Sequence, residues 1–252
     1  MDVNEEFWNC DLEDLKRGYV EKQELYLCVL CGHTVEKGLI YPEQELLLEA
    51  EKYMKYHITK EHTSVFHHLI SYNKKLTGLT DTQSQMLRYF YEGKSDEEIK
   101  TEMGAGSTST IRNHRFVLKE KERQARMAVT LFDLLKEKDH HAPSVLVPHQ
   151  TATMVDERYN VTKEESHKML KKYFDEETNK LKYFPAKEKQ KLVVLREIAT
   201  LFTPKQQYSE KEVNEIIKRI YDDFVTLRRY LIAYGFLDRK KDGSSYWVKS
   251  TS

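Results

Sequence analysis

Cys28-Val-Leu-Cys31-Gly32 places two thiols three residues apart with a glycine directly behind the second. Thiolates at that spacing can share one metal ion, and the glycine lets backbone amides turn toward sulfur. His57 and His62 form a His-x4-His pair within zinc-finger spacing, and with the cysteines they predict a closed, structural Zn2+ site. The gap between Cys31 and His57 is about twice that of the usual finger. His33, His67 and His68 compete as ligands, and the alternative is two reduced thiols beside surface histidines. Cys10 leaves the cysteine count odd at 3, which argues against a secreted disulfide framework and for a reducing, cytoplasmic setting. The acidic start Met-Asp-Val-Asn-Glu-Glu predicts neither a signal peptide nor an anchor. No stretch approaches the roughly 18 apolar residues of a spanning helix, so no membrane partner is expected.

The elements that would position these ligands are a short hairpin within Tyr26–Tyr41 and, after Pro42, an amphipathic helix from Glu43 to Lys60. More widely, 39% hydrophobic and 33% charged residues fit several small modules better than one large core. Only 9 Gly and 5 Pro in 252 residues predict a mainly α chain. The expected architecture is a zinc-binding β-hairpin/helix module over residues 1–72, a helix-turn-helix with an extended helix over 76–138, and a winged-helix-like domain with a short β-hairpin over 154–252. Residues 139–153, with His140, His141, Pro143 and Pro148, read as a linker because two prolines forbid a continuous helix.

Lysine plus arginine and aspartate plus glutamate each number 41, so any basic surface must be local. The middle module supplies one. Met86, Leu87, Phe90 and Tyr91 stripe a helix from Asp81, and Gly93 stops it. Ser95 and Glu98 form a capping box for a second helix with Ile99 and Met103 inward. After Gly104-Ala-Gly106, Ser107 can cap a third helix beginning at Thr108, with Ile111 and Leu118 inward. From Ser107 to Arg126 there are six bases against two acids. A basic third helix suits the major groove, where Thr108, Ser109, Arg112, Asn113, Arg115 and Lys119 can reach base edges or phosphate. Met127, Leu131, Leu134 and Leu135 continue an apolar stripe that packs either against the same chain or, as a dimerisation helix, against a second copy.

Across about 45 residues this segment resembles the LuxR/GerE-type helix-turn-helix family. The matching residues are Leu79-Thr80, Gln85, Leu87, Gly93, Ser95, Glu98-Ile99, Ser107, Thr110-Ile111, His114, Leu118 and Lys121. The resemblance implies sequence-specific binding of double-stranded DNA, often by a dimer. Gln85, Lys100 and Glu122 depart from the family's usual residues.

In the C-terminal part, Val161–Glu165 opens a helix to about Phe174, and Lys187–Phe202 carries a second apolar face. Ser209 and Glu212 make another capping box, while Asp222 or Asp223 caps a helix ending at Gly235. Phe236–Arg239 and Ser245–Val248 flank an Asp-Gly turn and read as a hairpin. Arg228 and Arg229 on the helix, with Lys240 and Lys241 in the turn, form a second basic face suited to phosphate. Tyr-Phe-Pro-Ala-Lys, Tyr-Asp-Asp-Phe, Leu-Arg-Arg-Tyr-Leu and Tyr-Gly-Phe-Leu-Asp-Arg, within Leu181–Lys249, resemble a bacterial domain family of unknown function whose members look like parts of transcriptional regulators.

No nucleophile, base and stabiliser converge in the sequence, and no Walker or dinucleotide glycine motif occurs, so catalysis is not expected. A histidine-rich metal hydrolase using His62, His67 and His68 is the least poor enzymatic reading. The expected function is a DNA-binding transcriptional regulator acting as a homodimer on duplex DNA. Its rival is a protein-interaction adaptor or anti-activator built on the same helical units.

Overall fold

The computed structural model describes residues 3–204 and 206–249. The chain forms two compact units, one from Met1–Thr77 together with Ser144–Ser252 and the other from Gly78–Pro143.

In the first unit, α1 (Val3–Asn9) and α2 (Leu12–Arg17) lead into an antiparallel sheet of β1 (Tyr19–Glu21), β2 (Leu25–Cys28) and β3 (Thr34–Glu36), in that order. The Cys28–Cys31 knuckle is the turn between β2 and β3, whose register pairs Leu25 with Glu36 and Leu27 with Thr34. A second hairpin follows, β4 (Ile40–Glu43) with β5 (Leu46–Glu49), and only then α3 (Ala50–His62). The helix expected from Glu43 therefore begins seven residues later. Gln44 turns with φ +53° and the Leu-rich stretch alternates, burying Leu48 while Leu47 faces outward. Period two prevails over period 3.6 because Leu48 and its partner Tyr41 close over α3, where the Tyr41 ring stacks on Tyr53 at 4.6 Å. Short helices α4 (Val65–Ile70) and α5 (Lys74–Thr77) complete this part. Its core joins Tyr19, Leu27, Cys28, Val29, Val35, Met54 and Ile58.

The rest of the first unit, which follows the three helices of the other unit in the chain, runs from a 3-10 turn (Glu157–Tyr159) through α9 (Lys163–Tyr173), α10 (Glu188–Ala199), β6 (Gln207–Tyr208), α11 (Glu210–Lys218), α12 (Phe224–Ala233), β7 (Leu237–Arg239) and β8 (Tyr246–Val248). Capping boxes at Thr162/Glu165 and Ser209/Glu212 start α9 and α11, and Asp223 caps α12 by accepting from the Thr226 amide. The terminal hairpin gains a third strand: β6 pairs with β8, giving the order β6-β8-β7. Two residues long, β6 offers no alternation to read. Leu192, Leu195, Ile198, Val213, Ile217, Leu227, Leu231 and Tyr246 form a dry core between these helices and the sheet.

Residues 139–153 divide. From Ser144 onward the chain belongs to the first unit, with Val145 bridged to Thr162 and with His149, Gln150 and Ala152 buried. The helix already ends at Lys136, before either proline, and the segment from Ser144 is not a loose linker, because its polar groups find partners on both sides.

The second unit contains α6 (Asp81–Tyr91), α7 (Asp96–Met103) and α8 (Thr108–Lys136). Thr80 with Gln83, and Ser95 with Glu98, form capping boxes at the starts of α6 and α7. Gly104 ends α7 in the left-handed region at φ +63°, which glycine adopts without a Cβ penalty. Met86, Ile99 and Ile111, one from each helix, form the centre, with Phe90, Met103 and Leu118 around them.

Candidate functional site

The knuckle is shaped by backbone bonds before any ion is considered. The Cys28 amide donates to the His33 carbonyl at 2.8 Å and the Gly32 amide donates to the Cys28 carbonyl at 2.8 Å. Gly32 takes φ +78°, the left-handed turn that brings the loop round. Amides of Leu30 and Cys31 point at the Cys28 sulfur and the His33 amide at the Cys31 sulfur, so both sulfurs face donors.

From the other side, α3 presents His57 and, at its last residue, His62. Five residues apart on a regular helix, the two rings would diverge. Here the chain leaves α3 abruptly at Thr63, whose φ of +61° is strained for a β-branched residue. Both imidazoles meet the sulfurs: Cys31 Sγ lies 3.2 Å from His57 Nε2 and Cys28 Sγ lies 3.6 Å from His62 Nε2. The four ligand atoms all fall within 4.8 Å of one another. Zinc bonds of about 2.3 Å to sulfur and about 2.1 Å to nitrogen, set tetrahedrally, put S and N about 3.6 Å apart. The cluster therefore has the size and donor set of an N2S2 tetrahedral centre and can hold a metal ion such as zinc.

Its electrostatics agree with a cation. A hydrogen bond from Cys28, followed by those of His57 and His62, pulls the Cys31 thiol far below its ordinary range despite burial. Sharing that proton with Cys31, together with burial, pushes Cys28 up. Two thiols in a buried pocket cannot both lose their protons without a cation, and a divalent ion would supply one.

The competing histidines are placed around this centre with other partners. The His33 ring stacks on His57 at 4.3 Å. His67 Nδ1 pairs with Ser64 Oγ at 2.8 Å beside the start of α4. His68 is buried, packs edge-on to His62 at 4.6 Å and hydrogen-bonds to the Leu30 carbonyl; burial first, then the neighbouring His62, pulls it down to about 4. His68 packs behind His62, a placement that nothing in its sequence position signals.

The basic residues sort by what already engages them. On α8, Ser109, Arg112 and Asn113 are exposed on the first turns, and Arg112 reaches back to Thr108 Oγ1 at 3.4 Å. Arg115 instead pairs with Asp96 at 2.8 Å and covers the Phe90 ring at 3.8 Å. Lys119 pairs with Glu122 at 2.8 Å on an exposed face. In the C-terminal fold, Arg228 is drawn inward to Glu210 at 2.7 Å and to Asn214, with its guanidinium over Tyr246. Arg229, Lys240 and Lys241 are exposed.

The end of α8 is apolar and open: Met127, Leu131, Phe132, Leu134 and Leu135 are each more than half exposed. Among the described residues, no helix is long and apolar enough to cross a membrane.

No curated protein and no solved structure matches the chain. The stretch from just before Leu181 to Val248, which holds α10, β6, α11, α12, β7 and β8, does find a relative. Residues 180–248 match the family described as an uncharacterized protein conserved in bacteria, DUF2087.

Proposed function

We propose that the protein is a transcriptional regulator that binds duplex DNA through α7, the Gly104 turn and α8. The observation that carries this reading is the exposure of Ser109, Arg112 and Asn113 on the first turns of a helix that follows a glycine-capped partner. Side chains so placed suit the major groove, and the surplus of bases along Ser107–Arg126 suits phosphate. In the C-terminal fold, the order helix, strand, helix, helix, strand, strand with a β6-β8-β7 sheet supports a winged-helix reading. Arg229, Lys240 and Lys241 are its available phosphate contacts. The open apolar end of α8 supports a homodimer, and the closed four-ligand cluster supports a structural rather than catalytic zinc.

A second reading is favoured by the ion pairs. Arg115 and Arg228 are committed to Asp96 and Glu210, which removes two of the expected DNA contacts and suits a protein-binding adaptor. Selection of bound duplexes from a random-oligonucleotide pool decides between them. The regulator enriches a defined, two-fold-related motif, with affinity that falls steeply as salt rises; the adaptor enriches none.

A further inference from the structure

The segment that leads from Val147 to Thr153 touches the metal knuckle with one set of groups and the C-terminal fold with another. Toward the knuckle, the Gln150 side-chain amide donates to the Val29 carbonyl at 2.9 Å. Val29 is the residue after Cys28, and its own amide is bound to Gly18 at 3.1 Å. The Gln150 amide donates to Asn4 Oδ1 at 3.0 Å, and the Trp8 indole donates to the Pro148 carbonyl at 2.8 Å. Toward the C-terminal fold, Arg196 donates to the Val147 carbonyl at 3.0 Å. Thr151 and Thr153 donate to the carbonyls of Gly235 and Ala233, each at 2.7 Å.

His149 locks between the two sets. Its Nε2 is 3.1 Å from the Tyr234 carbonyl, which can only accept, so the proton resides on Nε2. Nδ1 then accepts from the Tyr159 hydroxyl at 3.0 Å, and the ring stacks on Phe236 at 4.1 Å. His149 and Gln150 are both 7% exposed, so each depends on these partners. Gly235 leaves the strap its path, because a Cβ there would collide with the Thr151 carbonyl.

We propose that residues 147–153 are a strap through which metal loading of the knuckle sets the docking of the C-terminal fold. The ion ties the Cys28–Cys31 turn to α3 and so holds the Val29 carbonyl where Gln150 can reach it. Without the ion that turn keeps its backbone bonds and its buried Val29 and Leu30 but loses its tie to α3 through Cys31, so the Val29 carbonyl is held less firmly for Gln150 and the end of α12 is covered less firmly in turn. This rests on the metal reading of the cysteine–histidine cluster and not on DNA binding.

The test is hydrogen exchange on the full chain, zinc-loaded, chelated and zinc-restored, with zinc per chain measured alongside. Chelation should speed exchange about tenfold or more in peptides covering 26–33, 147–153 and 230–237, while α10 stays protected, and zinc should reverse it. Gln150→Ala should keep its zinc yet exchange fast at 147–153 and 230–237, and chelation should then change 230–237 no further. Thr151→Val, which spares the knuckle bond, should loosen 230–237 alone. Exchange at 147–153 that ignores zinc while 26–33 responds overturns the strap, as does uniform loss of protection that includes α10. Failure to take up zinc or cobalt overturns the metal reading, and the strap with it, on a separate readout.

Discussion

Arg112 and Arg115 lie within one turn of each other on α8, yet their surroundings assign them different work. Arg112 is exposed beside Asn113, whereas Arg115 is held by Asp96 and stacked on Phe90. Arg112→Ala should therefore weaken specific duplex binding by about 1–3 kcal/mol in gel retardation and leave the melting temperature unchanged. Arg115→Ala should do the reverse, lowering stability by about 1 kcal/mol through a lost cation–π contact and a half-exposed ion pair. Equal effects of the two on binding would contradict this division. At the cysteine–histidine cluster, the proposed structural zinc should give one ion per chain by atomic absorption, and Cys31→Ser, which removes one of the four donors, should take that to near zero. Acid should release the ion as well, because protons compete with it for two thiolates and two imidazoles, so metal retained at pH 7 should be lost on acidification. Retention at pH 4 would point to other ligands.

At the scale of elements, α8 is the feature that local packing leaves unexplained. Its first turns carry Ile111 into the core, but from Met127 on its apolar side chains face solvent over a helix about 43 Å long. Large exposed apolar patches mark interaction surfaces. The paired change Leu131→Glu with Leu134→Glu should convert a dimer to a monomer in analytical ultracentrifugation with helicity retained. A chain already monomeric at high concentration would refute the dimer. The knuckle hairpin and α3 show the complementary case, since neither holds the ligand set alone. Hairpin geometry aims the sulfurs, and α3 brings the rings of His57 and, at its last residue, His62 to them.

At the scale of the whole chain, the first unit is discontinuous, built from both ends of the sequence around an inserted three-helix unit. The segment by which the chain returns from that insertion is the strap, and Gly235 packs against it at Thr151. Gly235→Ala would add strain at φ +85° and a clash with Thr151, so it should destabilise the first unit by about 2 kcal/mol or more. The three-helix unit should melt unchanged, which a two-transition thermal scan can resolve. Coincident loss of both transitions would mean the units do not fold separately.

Helix starts were legible because their causes are local. The capping boxes at Ser95/Glu98 and Ser209/Glu212, the left-handed stop at Gly104 and the Asp-Gly hairpin each need only a few neighbouring residues. The grouping of Cys28, Cys31, His57 and His62 was also legible, because residues able to hold a metal ion keep chemical identity and characteristic spacing even across a long insertion. What the sequence left open was decided by contacts between distant segments. The β4–β5 hairpin displaced an expected helix start because Leu48 and Tyr41 pack over α3. Arg115 and Arg228 are held in ion pairs because Asp96 and Glu210 lie 19 and 18 residues away in sequence but within salt-bridge reach. Gln150 found Val29 across 121 residues. Local steric and capping preferences are written in adjacent residues; a polar group's partner is set by which segments tertiary packing brings within about 3 Å, and that distance has no signature along the chain.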